Sequence, residues 1–301
     1  AMISWDSAGL WAKGKHFTDI AGESDQSSVD FALFSALGLE CLARAALTKV
    51  HPALNADPRE DVNVLYGFGF NVTAKPKSLP AHSVYLRLEK IIDGFQRTHR
   101  ELCEFMALQR NAHLHSADLP FDNLSPSKWL PRYYDTVSIL NKHLGKTLED
   151  FVGLEAAAAA TELIKSLDEQ VMKNVKSKSA AHAKVWEEKS PQEQAALVQT
   201  ALGATVHLSW GEVMRQCPVC GSNGTLSGNQ VKEFPEKYEG EELLMDVQFL
   251  TTDFKCSACG LHLKGAEEVA HTDLDTHFIE TRSTSLHELY EPEYMLEYDN
   301  M

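Results

Sequence analysis

Two groups of residues in this chain have the types and spacing to do chemistry. The first is a pair of matched units, Cys217-Pro-Val-Cys220-Gly221 and Cys256-Ser-Ala-Cys259-Gly260. In each unit the glycine allows a tight turn that aims both sulfurs inward, and four thiolates saturate a tetrahedral zinc ion. Four sulfurs leave no open position for a substrate, so the expected zinc is structural. Its binding would contribute on the order of 10 kcal/mol to folding a small module. A redox dithiol is the competing reading, but one reactive Cys-x-x-Cys needs no matched second copy.

The second group is the run Arg110-Asn111-Ala-His113-Leu-His115-Ser116. An imidazole can exchange a proton near neutrality, and a guanidinium stays charged and forks onto two oxygens of an anion. Asn111 and His115 are four apart and share a helical face, so the amide can orient the ring. Arg110 is five residues from His115 and lies off that face, so one copy of the run is an incomplete site. In the alternative reading Arg110, Asn111 and His115 cap a helix end and bond to loop carbonyls. A metal pair at His113 and His115 is disfavoured, because residues two apart point to different sides. The Arg-x-x-x-x-His spacing alone is weak, since Arg282 and His287 share it by chance in an acidic region. The asparagine directly after Arg110 is the distinguishing feature.

The elements that must position these residues follow from periodicity. After the polar GESDQSS segment, Val29 to Val50 carries apolar residues at helical spacing, and His51-Pro52 stops it. Residues 53–80, with their prolines and a Gly-Phe-Gly, read as a long connection with a short element near Val62 to Tyr66. Helical spacing resumes at Ser83, Gly94 divides it into two helices, and the second carries the Arg110 run near its end. Another helix starts near Ser127, with Trp129, Tyr133, Val137 and Leu140 on its buried side. Four helices in about 120 residues make an all-α bundle the economical solution. Thr147 to Ala204 is helical in composition with a fresh start at Ser190-Pro191. From Gly211 the character changes to glycines and β-favouring runs, in which GTLSGNQVKEF and ELLMDVQFLTTDF can pair as a hairpin between the two Cys units.

The expected organisation is thus a helical bundle over 1–150, a helical extension or spacer over 151–210, a zinc ribbon over 211–265 and an acidic segment over 266–301. The fold class expected is mainly α, with only a small β-rich ribbon.

At 301 residues and 44% apolar, the chain can fill a real core. The N-terminal segment lacks a basic start followed by an apolar run, and no stretch approaches eighteen uninterrupted apolar residues. Neither secretion nor membrane insertion is expected, and the default location is the cytoplasm. Four of the six cysteines lie in the paired units, which favours metal binding over a disulfide scaffold. Cys41 and Cys103 fall on helices as inert buried thiols. A formal charge of −15 argues against general nucleic-acid affinity. The acidity is concentrated, however: residues 266–301 hold ten acidic side chains and one arginine, whereas 71–150 hold eleven Lys and Arg against nine Asp and Glu.

With Arg110-Asn111-x-x-x-His115 on a helix of an all-α bundle, the chain resembles the HEPN superfamily, whose ribonuclease members carry Arg-Asn-x-x-x-His. The resemblance covers roughly Val29 to Gly153, with FALFSALGLECLARAAL, HSVYLRLEKI and LPRYYDTVSIL matching the family's bundle helices. It implies Arg110, Asn111 and His115 as the active-site set, with His113 at a variable position of the pattern. It also implies a homodimer in which two motifs face each other across a two-fold axis. The implied activity is metal-independent endoribonuclease, of the kind used by toxins and antiphage defence effectors, with RNA as substrate and a regulatory protein or antitoxin as partner. Glu40 and Arg44 are candidate polar supports from the Val29–Val50 helix, or simply an i,i+4 surface pair. The competing expectation is a non-catalytic dimeric module whose ribbon or acidic tail binds a protein partner. The acidic C-terminus could also shield the motif.

Overall fold

The computed structural model describes residues 4–122, 124–240 and 242–285. These fall into two compact units, 1–174 and 175–301. The expected acidic tail beyond Ser285, including His287, lies outside the described residues.

The first unit is built from helices whose starts are written in short polar residues. Helix α1 (Ser7–Gly22) is capped by Asp6, whose carboxylate accepts from the Gly9 amide at 3.0 Å. Helix α2 (Val29–Val50) is capped by the Ser28 hydroxyl, which accepts from Phe31 at 3.1 Å. A 3-10 turn (Pro52–Asn55) and the short α3 (Asp61–Gly67) follow. Helices α4 (Ala81–Ile91) and α5 (Arg97–His115) are separated where Gly94 adopts a φ of +82°, a conformation a side chain would resist. Then come α6 (Leu130–His143), α7 (Leu148–Val152) and α8 (Leu154–Glu187). The 34 residues of α8 rise about 51 Å, and the division between units falls within it.

Helix α2 is the axis of this unit and packs against α1, α4, α5 and α6. Its Leu39, Leu42, Ala43 and Leu47 are sealed with Val84, Leu88, Met106, Val137 and Leu140. By length and composition alone α2 could cross a membrane, but 67% of its apolar window is buried inside the bundle and it carries Glu40 and Arg44. It is a core helix. Helix α1, which sequence periodicity does not reveal, closes on α2 where Gly14 meets Gly38: a Cβ on Gly38 would stand 3.1 Å from the Gly14 carbonyl oxygen and 2.6 Å from Thr18 Oγ1.

The second unit corrects the expected fold class. Of the described residues 56% are helical and 17% lie in strands, and the β portion is a curled antiparallel sheet rather than a small ribbon on a mainly α protein. After α9 (Pro191–Ala204), capped by a Ser190–Glu193 box, strands β1 (Glu212–Gln216), β2 (Asn223–Glu233), β3 (Lys237–Glu239), β4 (Glu242–Lys255), β5 (His262–Lys264) and β6 (His277–Ser285) form one six-stranded sheet. The expected hairpin is its centre: β2 pairs β4 from Thr225↔Lys255 to Glu233↔Val247. β3 continues along that edge of β4, and β5 and β6 pair its other edge. Register breaks at Ser227/Gly228 and Gln230/Lys232 mark irregularities of the bulge kind that curl a sheet. Leu226, Val247, Phe249, Phe254, Leu263 and Phe278 are buried on it, together with Val269 of α10 (Gly265–Ala270). The ribbon expectation stopped at residue 265 because the acidic composition beyond it masked β6, whose pairing partners on β4 lie 27 to 43 residues earlier in the chain.

Candidate functional site

Each unit contains a chemically capable group. In the first unit, Arg110, Asn111 and His115 lie on the last two turns of α5. Arg110 Nη1 donates to Glu40 Oε2 of α2, while its Nε and Nη2 donate to Asn111 Oδ1 at 3.2 and 2.8 Å. The other Glu40 oxygen accepts from Arg44 at 2.9 and 3.0 Å. Arg44 in turn donates to Asn55 Oδ1 and to the Leu79 carbonyl, which ties α2 to the long connection. Glu40 is therefore no solvent-facing i,i+4 partner. Its side chain is 17% exposed, those of Arg44 and Arg110 are each 13% exposed, and it pairs with one guanidinium from each of two helices. Burial lowers both arginines from their ordinary value.

Asn111 and His115 are exposed, and no hydrogen bond of the His115 ring occurs among the described residues. His113 is half-buried instead, its ring 5.7 Å from that of Phe121 and its Nδ1 sealed without a partner among the described residues. Arg110 and Asn111 are thus brought together, whereas His115 stands apart in solvent. Leu108, one turn before Asn111 on the His115 face, is 65% exposed, and Leu114 is 53% exposed. Cys103 is fully buried and its thiol pushed up by desolvation, as expected of an inert cysteine, while Cys41 is half-buried.

In the second unit, Cys217, Cys220, Cys256 and Cys259 converge, all four sulfurs lying within 4.8 Å of one another. The Cys217–Cys259 and Cys220–Cys256 separations are 3.6 and 3.5 Å. Tetrahedral zinc with Zn–S bonds of about 2.3 Å needs edges of about 3.8 Å, so the cluster fits a zinc ion with little adjustment. The two Cys units repeat one turn. Gly221 N–H donates to the Cys217 carbonyl and Gly260 N–H to that of Cys256, at 3.0 and 2.9 Å. Both glycines are left-handed, with φ of +69° and +77°. The amides of Cys217 and Cys256 close each turn onto Ser222 and Leu261. Sharing a proton with Cys256 raises Cys217, and accepting from Cys217 and Cys259 lowers Cys256, the asymmetry of crowded thiols whose charges a divalent cation would neutralise together.

Sequence reasoning passed over His182 and Lys178, which fall within the expected helical extension or spacer over 151–210. They reach the second Cys unit from α8: His182 Nδ1 lies 2.9 Å from the Cys259 carbonyl oxygen, and Lys178 Nζ contacts Glu268 at 2.5 Å and the His262 carbonyl at 3.3 Å. Nothing in their spacing marks them. Beside the first Cys unit there is a cleft of about 430 Å³, lined by Arg215, Gln216, Cys217, Pro218, Asp273 and Asp275, in which Arg215 pairs with Asp275 at 2.7 Å.

No family model, curated protein or solved structure matches this chain.

Proposed function

We propose that the chain is a HEPN-type endoribonuclease of the cytoplasm, working as a homodimer without a catalytic metal, and that it serves as a toxin or antiphage defence effector under the control of a regulatory protein or antitoxin. The observation that carries this reading is the placement of Arg110 and Asn111 as a hydrogen-bonded pair, with His115 one turn on, exposed and without a hydrogen bond among the described residues. Cleavage of RNA requires removal of the 2′-hydroxyl proton, attack of that oxygen on phosphorus, and protonation of the departing 5′-oxygen. The products are a 2′,3′-cyclic phosphate and a 5′-hydroxyl. His115 takes the first proton, a step worth roughly 10²- to 10⁴-fold. His115 of the second copy supplies the last, and the two Arg110 guanidiniums bear on the extra charge at phosphorus. The exposed Leu108 and Leu114 beside the motif are apolar area that a second copy would cover. The zinc of the four-cysteine cluster is structural in this scheme and takes no part in the reaction.

A second reading has its own observation: three donor nitrogens of Arg110 are already engaged by Glu40 and Asn111, as in a purely structural ion pair. In that case the bundle is a non-catalytic dimeric module that binds a protein partner. The deciding experiment incubates purified protein with RNA without added divalent cations and in EDTA, comparing the wild type with Arg110→Ala and His115→Ala. Loss of cleavage in both variants supports the nuclease. Equal cleavage in all three, or none in any of them even without EDTA, where the structural zinc stays in place, supports the module.

A further inference from the structure

We infer that His182 is a positioning residue of the four-cysteine centre, and that the metal-loaded second Cys unit is the anchor for the last third of α8. The inference is independent of the ribonuclease reading and rests on one peptide group. The peptide between Cys259 and Gly260 closes the second turn, its N–H donating to the Cys256 carbonyl at 2.9 Å. The carbonyl of the same peptide accepts from His182 Nδ1 at 2.9 Å. The two bonds form a chain, imidazole N–H to peptide to Cys256 carbonyl, and each bond in such a chain polarises and strengthens the next. His182 thereby tightens the turn that sets the spacing of the two ligand sulfurs. The contact also fixes the tautomer, since Nδ1 must carry the hydrogen to donate to a carbonyl.

Steric detail supports the same assignment. A Cβ on Gly260 would meet His182 Cε1 at 3.8 Å, whereas one on Gly221, the equivalent glycine of the first Cys unit, would meet nothing within 4 Å. One Cys unit is covered by α8, and the other borders the open cleft lined by Arg215 and Asp275. Lys178, one turn before His182, adds two further ties to the same region through Glu268 and the His262 carbonyl. Residues 175–187 therefore dock onto structure that the metal organises. Coupling of this kind is reciprocal: whatever factor His182 contributes to metal affinity, the metal contributes to docking of the helix end. The centre, closed to substrates, acts as the latch of a helix.

The test uses the full chain. Zinc affinity is measured by competition with a chromophoric chelator for the wild type, His182→Ala and His182→Asn, the asparagine amide nitrogen standing where Nδ1 does. Loss of an outer partner that orients a metal ligand typically costs about 10- to 100-fold in affinity; His182 acts on the backbone of Cys259 rather than on its sulfur, so His182→Ala is expected to weaken zinc binding at the lower end, about tenfold, and His182→Asn to recover most of it. Hydrogen exchange on His182→Ala at saturating zinc should rise in 176–187 and stay unchanged in β2 and β4. Equal affinity in the wild type and His182→Ala overturns the inference. So does an asparagine variant as weak as alanine, including the case in which neither folds. An exchange pattern at 176–187 indifferent to the substitution also overturns it.

Discussion

Glu40 of α2 holds Arg110 of α5 through one carboxylate oxygen and Arg44, one turn along its own helix, through the other. A single anion thus fixes the guanidinium of the candidate active site against the central helix of the bundle. Removing that anion leaves two half-buried cations facing each other. Glu40→Ala is expected to cost about 2 kcal/mol, below the roughly 3–5 kcal/mol of a fully buried pair because water still reaches this one. Urea unfolding measures the loss, and a change under about 0.5 kcal/mol would show that the ion pair is only superficial.

His115 and Arg110 should separate activity from stability. His115 is exposed, so His115→Ala is expected to leave the unfolding free energy within about 0.5 kcal/mol of the wild type. On the proposed mechanism it lowers RNA cleavage by roughly 10²-fold or more. Arg110→Ala should lose both cleavage and stability, since Glu40 then keeps only Arg44. Unfolding curves beside single-turnover cleavage assays check the pair, and a His115→Ala protein that cleaves normally defeats the mechanism.

The α1–α2 contact predicts opposite outcomes for two glycines. Gly38→Ala gains about 1 kcal/mol of helix propensity, but its methyl would stand 2.6 Å from Thr18 Oγ1. Overpacking wins, with an expected net loss of about 1–3 kcal/mol. Gly22, at the end of α1, has nothing within 4 Å of an added Cβ, and Gly22→Ala should be neutral or slightly stabilising. Thermal unfolding of both proteins decides, and equal melting temperatures would refute the close approach of the helices.

His143, the last residue of α6, introduces a pH dependence. Burial lowers its imidazole from the ordinary value and outweighs a hydrogen bond to the Ala46 backbone, and its Nε2 has no partner among the described residues. The unfolded chain therefore takes up the proton first, near pH 6.5, and the folded chain only at lower pH. Stability from this group is complete above the unfolded value and declines as pH falls towards the folded one. Urea midpoints at about pH 7.5 and about pH 5.5, on either side of the unfolded value, should drop less in His143→Gln than in the wild type. The same drop in both would assign the dependence to other groups.

Local chemistry made much of this protein legible before any coordinates. Ser28 and Ser190 start helices, Gly94 divides α4 from α5, and two Cys-x-x-Cys-Gly units announce a four-sulfur cluster, because caps, glycine breaks and metal knuckles are decided by residues a few positions apart. Distant pairings escaped it. Helix α1 is stabilised by close approach of Gly14 to Gly38, a packing fact that leaves little trace in periodicity. Strand β6 hides in acidic composition until β4 supplies its hydrogen bonds, and this turned an expected ribbon into a six-stranded sheet. Glu40 and His182 acquire their roles only because other helices and turns arrive beside them, at Arg110 seventy positions away and at the Cys259 carbonyl seventy-seven away. Residue types by themselves determined which side chains could accept, donate or ligate. The tertiary structure alone chose their partners, since a contact between distant segments depends on how the whole chain packs.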